Sequence, residues 1–354
     1  MTIDFTSRKE LKRYLNSEGS LQKELSDEAN RIRKESIGNS VYFRGIIEFS
    51  NICENDCYYC GIRKSNKNVE RYMMTMEEID ECLKFIEKAK YGSVVLQSGE
   101  MTYKKAREFI LECVKHIHSN YPTMGITLSL GELSYEDLKE LKKAGAHRYL
   151  LRIETSVPEL YRKLHPEYQS LEKRKQCLKD LKSLDYQVGC GNMIGTPGQT
   201  DDDILEDLMF FKNEDFDMFG LGPYVIHEDT PLSTPEVCKW WEEEKEHIYQ
   251  KTLNFISMLR ILMPSCNIAS ATALDVFHSF GRIAALRAGA NVIMPSVTPN
   301  KYREDYLLYQ DKPCIDGNAE RCSNCIVRKV KNAKLDPALE VQGNSRHFLD
   351  RTNG

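Results

Sequence analysis

The sequence lacks the features that mark nucleic-acid-binding, membrane and secreted proteins. Lys and Arg number 49 against 53 Asp and Glu, so the net charge of -4 gives no basic excess for nucleic acid. No run reaches the ~18 consecutive apolar residues of a membrane span, and the opening stretch MTIDFTSRKELKRYL has no apolar core of a signal peptide. Low-complexity segments and short repeats are also missing. We therefore expect a cytoplasmic protein that binds neither nucleic acid nor membrane.

The chain instead has the pattern of one large α/β domain. Its 354 residues are 41% hydrophobic, and short apolar runs alternate with longer amphipathic stretches from Val41 onward. Eight strands alternating with helices predict a (β/α)8 TIM-type barrel. The predicted strands are 41–49, 93–97, 125–130, 147–153, 187–194, 216–222, 267–272 and 291–295, and the helices include 76–90, 103–118, 135–144, 171–184, 201–213, 239–263 and 278–288.

Two further segments flank this predicted barrel. Residues 1–40 are charged with helically spaced apolar positions, which predicts an N-terminal helical cap. The barrel would then cover 41–296. Residues 297–354 are expected to form a C-terminal extension that packs near the barrel mouth.

Cysteine is abundant, with twelve residues. In a reducing compartment these are not expected to form disulfides. Six cysteines are scattered singly and fit small buried apolar positions. The other six fall into two clusters, and the chemistry is expected there.

The first cluster, Cys53, Cys57 and Cys60, follows the first predicted strand directly. Three thiolates from one short loop can bind three irons of a cubane 4Fe–4S cluster, leaving the fourth iron open for reaction. In a barrel this loop lies at the C-terminal face, where active sites form. The alternatives are a zinc site or unrelated cysteines. Zinc sites usually have a fourth ligand nearby, and no His or Cys follows Cys60 within twenty residues.

This Cys-x-x-x-Cys-x-x-Cys spacing, with Tyr59 before the last cysteine, resembles the signature of the radical S-adenosylmethionine (SAM) superfamily. The resemblance implies that SAM chelates the open iron through its amino and carboxylate groups. An electron from a reducing donor, delivered through the cluster, would cleave SAM to methionine and the 5′-deoxyadenosyl radical.

The resemblance also implies a set of SAM contacts at strand ends. Gln97, Ser98, Gly99 and Glu100 resemble the motif that meets the methionine ammonium group, and Tyr59 adjoins it. Glu154 would accept hydrogen bonds from ribose hydroxyls, although an Arg152–Glu154 pair closing the barrel top explains it equally well. Arg174 would meet the SAM carboxylate, or is a solvated arginine. Met193 and Ile194 open a glycine-containing run that would approach the adenine, or form a plain turn.

The second cluster, Cys314, Cys322 and Cys325, has a looser spacing. A structural zinc and a second iron–sulfur cluster fit it about equally, and three free thiols are the alternative. Since it follows the eighth strand, we expect an auxiliary site far from the barrel axis.

Many segments between about Val41 and Val330 resemble the FeFe-hydrogenase maturase HydE family. They include IEFSNIC, DCYYCGIR, NKNVERY, VVLQSGE, AGAHRYLLR, GTPGQT, DFDMFGLGP and AGANVIMP. This resemblance implies a complete barrel that encloses SAM and a small substrate, a cysteine-bound iron carrying carbonyl and cyanide. It also implies the other hydrogenase maturases as partners.

Some positions depart from the family pattern, namely Ile153, Ala271, the segment from Asp275, and Ser296-Val297. All are expected to face the substrate. They leave open a radical SAM relative with another small substrate, such as a methylornithine synthase or a biotin-synthase-like enzyme. An iron–sulfur electron carrier is the non-enzymatic alternative, but it needs neither an open iron nor a barrel.

The upper barrel lining predicts the class of substrate. Thr127, Ser129, Arg152 and Thr272 should point inward, while Tyr302 and Tyr306 should close the mouth. One arginine with several hydroxyls and aromatic walls suits a small anionic or zwitterionic molecule derived from an amino acid.

Overall fold

A computed structural model describes residues 3–315 and 319–353, with side chains described for all of these except 319–322 and 353. Eight parallel strands form the wall of a barrel in the order β1, β2, β3, β4, β5, β7, β9, β10. Backbone hydrogen bonds from Ser270 to Val292 and from Asn291 to Ile268 close the ring between β9 and β10. The predicted (β/α)8 barrel is therefore confirmed, with each predicted strand in its place.

The strands are longest at the start of the chain. Two short strands, β6 and β8, pair with each other above β5 and β7. The bounds are β1 Ser40–Ser50, β2 Ser93–Ser98, β3 Gly125–Ser129, β4 Arg148–Leu150, β5 Gln187–Cys190, β6 Met193–Ile194, β7 Met218–Phe219, β8 Gly222–Pro223, β9 Asn267–Ile268, β10 Val292–Ile293 and β11 Asp336–Ala338.

Helices fill the connections, and local sequence sets where several begin. Thr75 and Glu78 form a reciprocal capping box at α3, as Thr200 and Asp203 do at α8. The bounds are α1 Arg8–Leu15, α2 Gly19–Ile37, α3 Met76–Lys88, α4 Lys104–Asn120, α5 Tyr135–Lys143, α6 Pro158–Leu164, α7 Leu171–Ser183, α8 Asp201–Glu214, α9 Pro235–Leu262, α10 Leu274–Phe277, α11 Gly281–Arg287, α12 Asn300–Arg303, α13 Ala319–Asn332 and α14 Arg346–Asn353. None of these helices is both long enough and apolar enough to span a membrane.

The main core lies between the barrel wall and the surrounding helices. On β2, Val94 and Leu96 join that core, while Val95 and Gln97 face the barrel interior. This alternation follows from the two-residue period of a strand. The N-terminal helices α1 and α2 pack on α8, α9 and α11 at the side of the barrel.

Residues beyond the eighth strand reach both ends of the barrel. Lys312 and Cys325 lie at the mouth. The chain then crosses to the opposite end, where β11 pairs with the start of β1 and residues 342–344 cover the bottom. The expectation that the whole extension packs near the mouth is therefore wrong for its second half. The sequence carried no signal for this crossing, because β11 has only three residues.

Candidate active site

A cavity of about 770 Å³ opens at the C-terminal ends of the strands. It extends from the cysteine loop to residues of the extension, so one enclosed space adjoins both regions. Among the predicted site residues, those that line it are Cys57, Tyr59, Cys60, Gln97, Ser98, Ser129, Arg152, Glu154, Arg174, Met193, Thr272, Cys314 and Cys325.

The cysteine loop is bound tightly to the turn after β2. Glu54 donates a backbone hydrogen bond of 2.8 Å to the carbonyl of Glu100, and Gly99 donates one of 3.0 Å to Ser50. A side chain at Gly99 would put its Cβ 2.7 Å from the Cβ of Cys53. Only glycine permits this approach, so the two predicted sequence motifs form one structural unit.

The three thiols of this loop are deeply enclosed. Burial raises the pKa of Cys53, raises the pKa of Cys57 to about 12 and raises the pKa of Cys60 well above its ordinary value. A thiolate at Cys53 would raise the pKa of Cys57 and Cys60 in addition. Three such thiols stay protonated unless a metal displaces the protons. In the described part of the chain, no three Cys, His, Asp or Glu side chains are close enough to hold a single ion. A four-iron cluster is larger and takes thiolates that lie farther apart, so the donor set fits it.

Gln169 is a neighbour of the cysteine loop that the sequence did not reveal. Its side-chain oxygen lies 3.4 Å from the sulfur of Cys57, and its side-chain nitrogen is buried without a hydrogen-bond partner. Either end of the amide can face the sulfur, so the side chain serves a protonated thiol or a thiolate.

Tyr59 is held by a second residue that the sequence did not reveal. Burial lowers the pKa of His165 to about 3, so the ring is neutral. Its Nδ1 lies 2.9 Å from the carbonyl oxygen of Tyr161 and therefore carries the proton. Nε2 then accepts the Tyr59 hydroxyl at 3.2 Å. This hydrogen bond fixes the position of the Tyr59 side chain, which lies between Cys57 and Cys60 in the chain.

Arg174, at the start of α7, connects three parts of the rim. It donates to Glu132 at 2.9 Å, to the carbonyl of Arg152 at 3.0 Å and to Glu100 at 3.4 Å. Burial raises the pKa of Glu100, and the Arg174 charge opposes that rise. The guanidinium is therefore a bound, oriented cation rather than a solvated one.

Arg152 and Glu154 follow β4 and form an ion pair of 2.8 Å at the cavity wall. The same Arg152 nitrogen also donates to the carbonyl of Asn192 at 3.0 Å. Glu154 has φ of +61°, a left-handed conformation that costs a non-glycine residue about 1–3 kcal/mol. The structure is compatible with both interpretations of Glu154, a ribose contact and an ion pair with Arg152, because the paired carboxylate still faces the cavity.

Two further ion pairs in the wall were not predicted. Lys312 enters from the extension and contacts Glu48 of β1 at 2.6 Å. Asp275 and Arg282 form a pair of 2.6 Å that is also nearly buried. The wall therefore carries several cations, most of them paired with a carboxylate, instead of one positive charge among hydroxyls.

Several predicted residues do not reach the cavity. Thr127 points inward but lies one layer below Ser129, where it contacts Arg148 at 3.5 Å. Tyr302 stacks on Tyr72 at 4.3 Å and bonds Glu78, outside the mouth. Tyr306 lies beyond the four-residue helix α12 and is buried, and Tyr309 lines the wall instead.

The remaining predicted SAM residues lie just behind the wall. Cys53, Gly99 and Glu100 belong to the fused unit of the cysteine loop and the β2 turn. Ile194 is fully buried in the main core.

The second cysteine cluster is nearer to the barrel than expected. Cys314 and Cys325 both line the mouth of the central cavity, so the expectation of a site far from the barrel is wrong. The side chain of Cys322 lies outside the described residues.

The positions that depart from the family pattern also divide into two groups. Ala271, Asp275 and Ser296 line the cavity. Ile153 and Val297 are buried in the main core and do not face it, contrary to the expectation for both. Two of the five departures therefore concern packing rather than the pocket.

Comparison with known proteins agrees with this arrangement. Residues 47–211 match the family model described as the radical SAM superfamily. The fold and site thus define the class: a radical SAM enzyme, which uses a 4Fe–4S cluster and SAM.

Similarity to one relative narrows the assignment from the superfamily to a single family. The chain is 42% identical to the [FeFe] hydrogenase maturase subunit HydE of Thermotoga maritima over 90% of this chain and 88% of that protein. The chain therefore belongs to the HydE family. It is also 27% identical to 3-methylornithine synthase of Methanosarcina acetivorans, over 93% of this chain and 89% of that one. The crystal structure of methylornithine synthase shares the fold, with a TM-score of 0.78, 24% identity, and coverage of 96% of this chain and 95% of that chain.

Proposed function

We propose that this enzyme is a HydE-type maturase that directs the 5′-deoxyadenosyl radical at a small enclosed substrate during assembly of the hydrogenase di-iron subcluster. The observation that carries the proposal is the 42% identity to HydE along nearly the whole chain. The cavity supports it, since about 770 Å³ lies in the usual range for small-molecule sites.

The proposal gives each group of residues a role. Cys53, Cys57 and Cys60 hold three irons of the cluster, which supplies the electron for SAM cleavage when bound. Glu100 and the turn from Gln97 bind the methionine ammonium group, and Arg174 binds the carboxylate. Glu154 binds the ribose hydroxyls. Tyr59 and Met193 complete the SAM site, and Ile194 supports it from the core.

The substrate is proposed to be a small sulfur-bearing amino-acid derivative, namely the cysteine-bound iron with carbonyl and cyanide ligands. The two ion pairs Lys312–Glu48 and Asp275–Arg282 support a zwitterion, because each charge can exchange its protein partner for a ligand group. Ser129 and Thr272 add hydroxyls to the same wall.

A relative with another small substrate is the second candidate. It is supported by the departures at Ala271, Asp275 and Ser296, which all line the cavity. Asp275 pairs with Arg282 in this wall, and the charged groups of a pocket help to decide which small molecule is bound.

Complementation tests the choice between these two candidates. The gene should restore FeFe-hydrogenase activity in a strain that lacks its own maturase of this type but retains the partner maturases. The control is the Cys57→Ala variant, which should not restore activity. A wild-type protein that cleaves SAM in vitro but fails to complement would favour the second candidate.

Cys314, Cys322 and Cys325 are proposed to bind an auxiliary iron–sulfur cluster at the cavity mouth. Replacing all three by Ala should remove the iron of that site while SAM cleavage continues. Loss of cleavage in a folded triple variant would mean that this site takes part in the central chemistry.

A further inference from the structure

Asp207, on α8, is a fully buried carboxylate behind the rim of the cavity. One oxygen accepts hydrogen bonds from the backbone nitrogen of Ser156 at 2.6 Å, from the Ser156 hydroxyl at 2.8 Å and from Thr155 at 3.2 Å. The other oxygen accepts from the Asn192 amide at 3.1 Å. All four donors are uncharged groups.

Burying the Asp207 carboxylate among uncharged donors costs the folded protein free energy. Burial raises the pKa of Asp207 to about 6, while the four hydrogen bonds oppose the rise. Burying a carboxylate without a cation beside it costs free energy, which the hydrogen bonds it accepts offset only in part. The contacts of Asp207 indicate which part of the structure those hydrogen bonds support.

The segments that Asp207 joins are those on both sides of Glu154. Thr155 and Ser156 follow Glu154 in the chain, and Asn192 pairs with it across the strand ends. The carbonyl of Glu154 accepts a backbone hydrogen bond of 3.0 Å from Met193, the residue after Asn192. Asp207 thus connects the two chain segments that hold Glu154 in place.

Glu154 needs such support because its backbone is strained. A φ of +61° is unfavourable for a residue with a side chain and persists only when neighbouring contacts fix it. If the turn relaxed to an ordinary conformation, the Glu154 side chain would no longer point into the cavity beside Arg152.

We propose that Asp207 is a positioning residue for SAM: it fixes the strained turn that aims the Glu154 carboxylate at the SAM ribose. The inference rests on the proposed role of Glu154. Asp207 itself has no exposed surface and does not touch SAM.

The Asn192 side chain should compensate for one particular substitution, Asp207→Asn. Its oxygen is buried without a hydrogen-bond partner. In Asp207→Asn, the new amide oxygen can still accept from Ser156 and Thr155. Its nitrogen then faces Asn192, which can turn its free oxygen toward it. Asp207→Ala removes every acceptor and has no such rescue.

The test compares SAM affinity of anaerobically reconstituted holoenzymes by equilibrium dialysis. Asp207→Ala should weaken SAM binding at least tenfold with the cluster iron content unchanged, and should raise KM for SAM more than it lowers kcat. Asp207→Asn should remain within about threefold of wild type. If Asp207→Ala does not fold, the double variant Thr155→Val, Ser156→Ala removes two of the donors and should weaken SAM binding severalfold.

The control is Asp217, another buried carboxylate, at the opposite end of the barrel. It accepts a backbone hydrogen bond of 3.0 Å from Val188 and also contacts His347 and Arg351. Asp217→Ala should lower the unfolding temperature and leave SAM affinity unchanged. Equal SAM affinity in Asp207→Ala and wild type, or equal losses in both Ala variants, would overturn the inference. A wild-type holoenzyme that binds no SAM would instead overturn the proposed function.

Discussion

Arginines lie at both ends of the barrel, part-exposed at the mouth and buried at the bottom, and their hydrogen-bond partners differ between the two ends. At the mouth, Arg152 and Arg174 contact carboxylates and adjoin the cavity. At the bottom, Arg148 donates to the carbonyl of Gln342 and to the side-chain oxygen of Asn344, both at 2.7 Å. Arg44 donates to the carbonyl of Gly343 at 3.1 Å.

The difference separates a binding end from a structural end. Carbonyl oxygens accept hydrogen bonds from these arginines but leave their charge uncompensated. Burial therefore lowers the pKa of Arg44 to about 10 and lowers the pKa of Arg148 well below its ordinary value. Carboxylate partners compensate the charge and can be exchanged for ligand groups. This agrees with the general division of TIM barrels into a catalytic C-terminal face and a stabilising N-terminal face.

Removing a proposed cluster ligand should give the largest difference between the two ends, because it should abolish the chemistry at the mouth and leave the bottom of the barrel folded. Cys57→Ala should abolish the reduced-cluster EPR signal and all SAM cleavage while leaving the bottom of the barrel folded. Iron analysis after anaerobic reconstitution and assay of 5′-deoxyadenosine measure the two effects. Cys113→Ala, in a buried single cysteine of α4, is the control and should retain both. Formation of 5′-deoxyadenosine by Cys57→Ala would show that this loop does not bind the catalytic cluster.

Changing a bottom arginine should affect stability and not binding. Arg148→Ala removes three hydrogen bonds and a large buried side chain, although Ser93 still donates to Gln342 and Gln187 still donates to Asn344. We expect a loss of about 2–4 kcal/mol in the free energy of unfolding, measured with denaturant. SAM affinity of the folded protein should be unchanged. A large loss of SAM affinity would remove the distinction between the two ends.

A mouth arginine should show the reverse behaviour. Arg174→Ala removes the cation proposed to bind the SAM carboxylate and should weaken SAM binding by about 1.5–3 kcal/mol. Calorimetric titration of the holoenzyme measures this loss. Arg162→Ala, on the exposed surface of α6, is the control and should bind SAM normally. Unchanged binding by Arg174→Ala would exclude Arg174 from the SAM site.

The smallest expected effect concerns a pH-sensitive contact at the bottom. Hydrogen bonds and attraction from Asp217 and Asp215 raise the pKa of His347. Its stabilisation should therefore be complete below the unfolded pKa of about 6.5 and disappear as pH rises through the higher folded value.

The variant His347→Gln measures this contribution. The difference in unfolding free energy between wild type and variant should be at most about 1 kcal/mol at low pH and should shrink at high pH. A difference that grew with pH would mean that the folded protein contains neutral His347.

The sequence was sufficient for the barrel and for the cysteine loop. Short apolar runs between amphipathic stretches are local features, and so is the spacing of three cysteines. They predicted the eight strands, and they predicted a cysteine loop at the mouth, where Cys57 and Cys60 line the cavity. The ends of β2 and β4 were also placed at the mouth, because parallel strands bring their carboxyl ends to one face.

The local sequence did not predict features that depend on depth along the barrel axis or on segments that are far apart in the chain. Alternation along β3 predicts that Thr127 points into the barrel, but not at which depth. At its actual depth Thr127 contacts Arg148 instead of the cavity. The partner of Glu48 is Lys312, which comes from another part of the chain altogether. Similarly, Tyr302 and Tyr306 were expected to close the mouth, but α12 ends at Arg303 and places neither residue there.

The parallel pairing of β11 with β1 has a consequence for how the molecule is made. Ser40 pairs with Asp336, so the two halves of this contact are separated by about 300 residues of translation. At about 5–20 residues per second, this takes roughly 15–60 s. During that interval Arg44 and Arg148 have no oxygens from residues 342–344 to receive their hydrogen bonds. The cysteine loop directly after β1 is already synthesised, so the growing chain has the three thiols of this loop well before the floor of the barrel is in place.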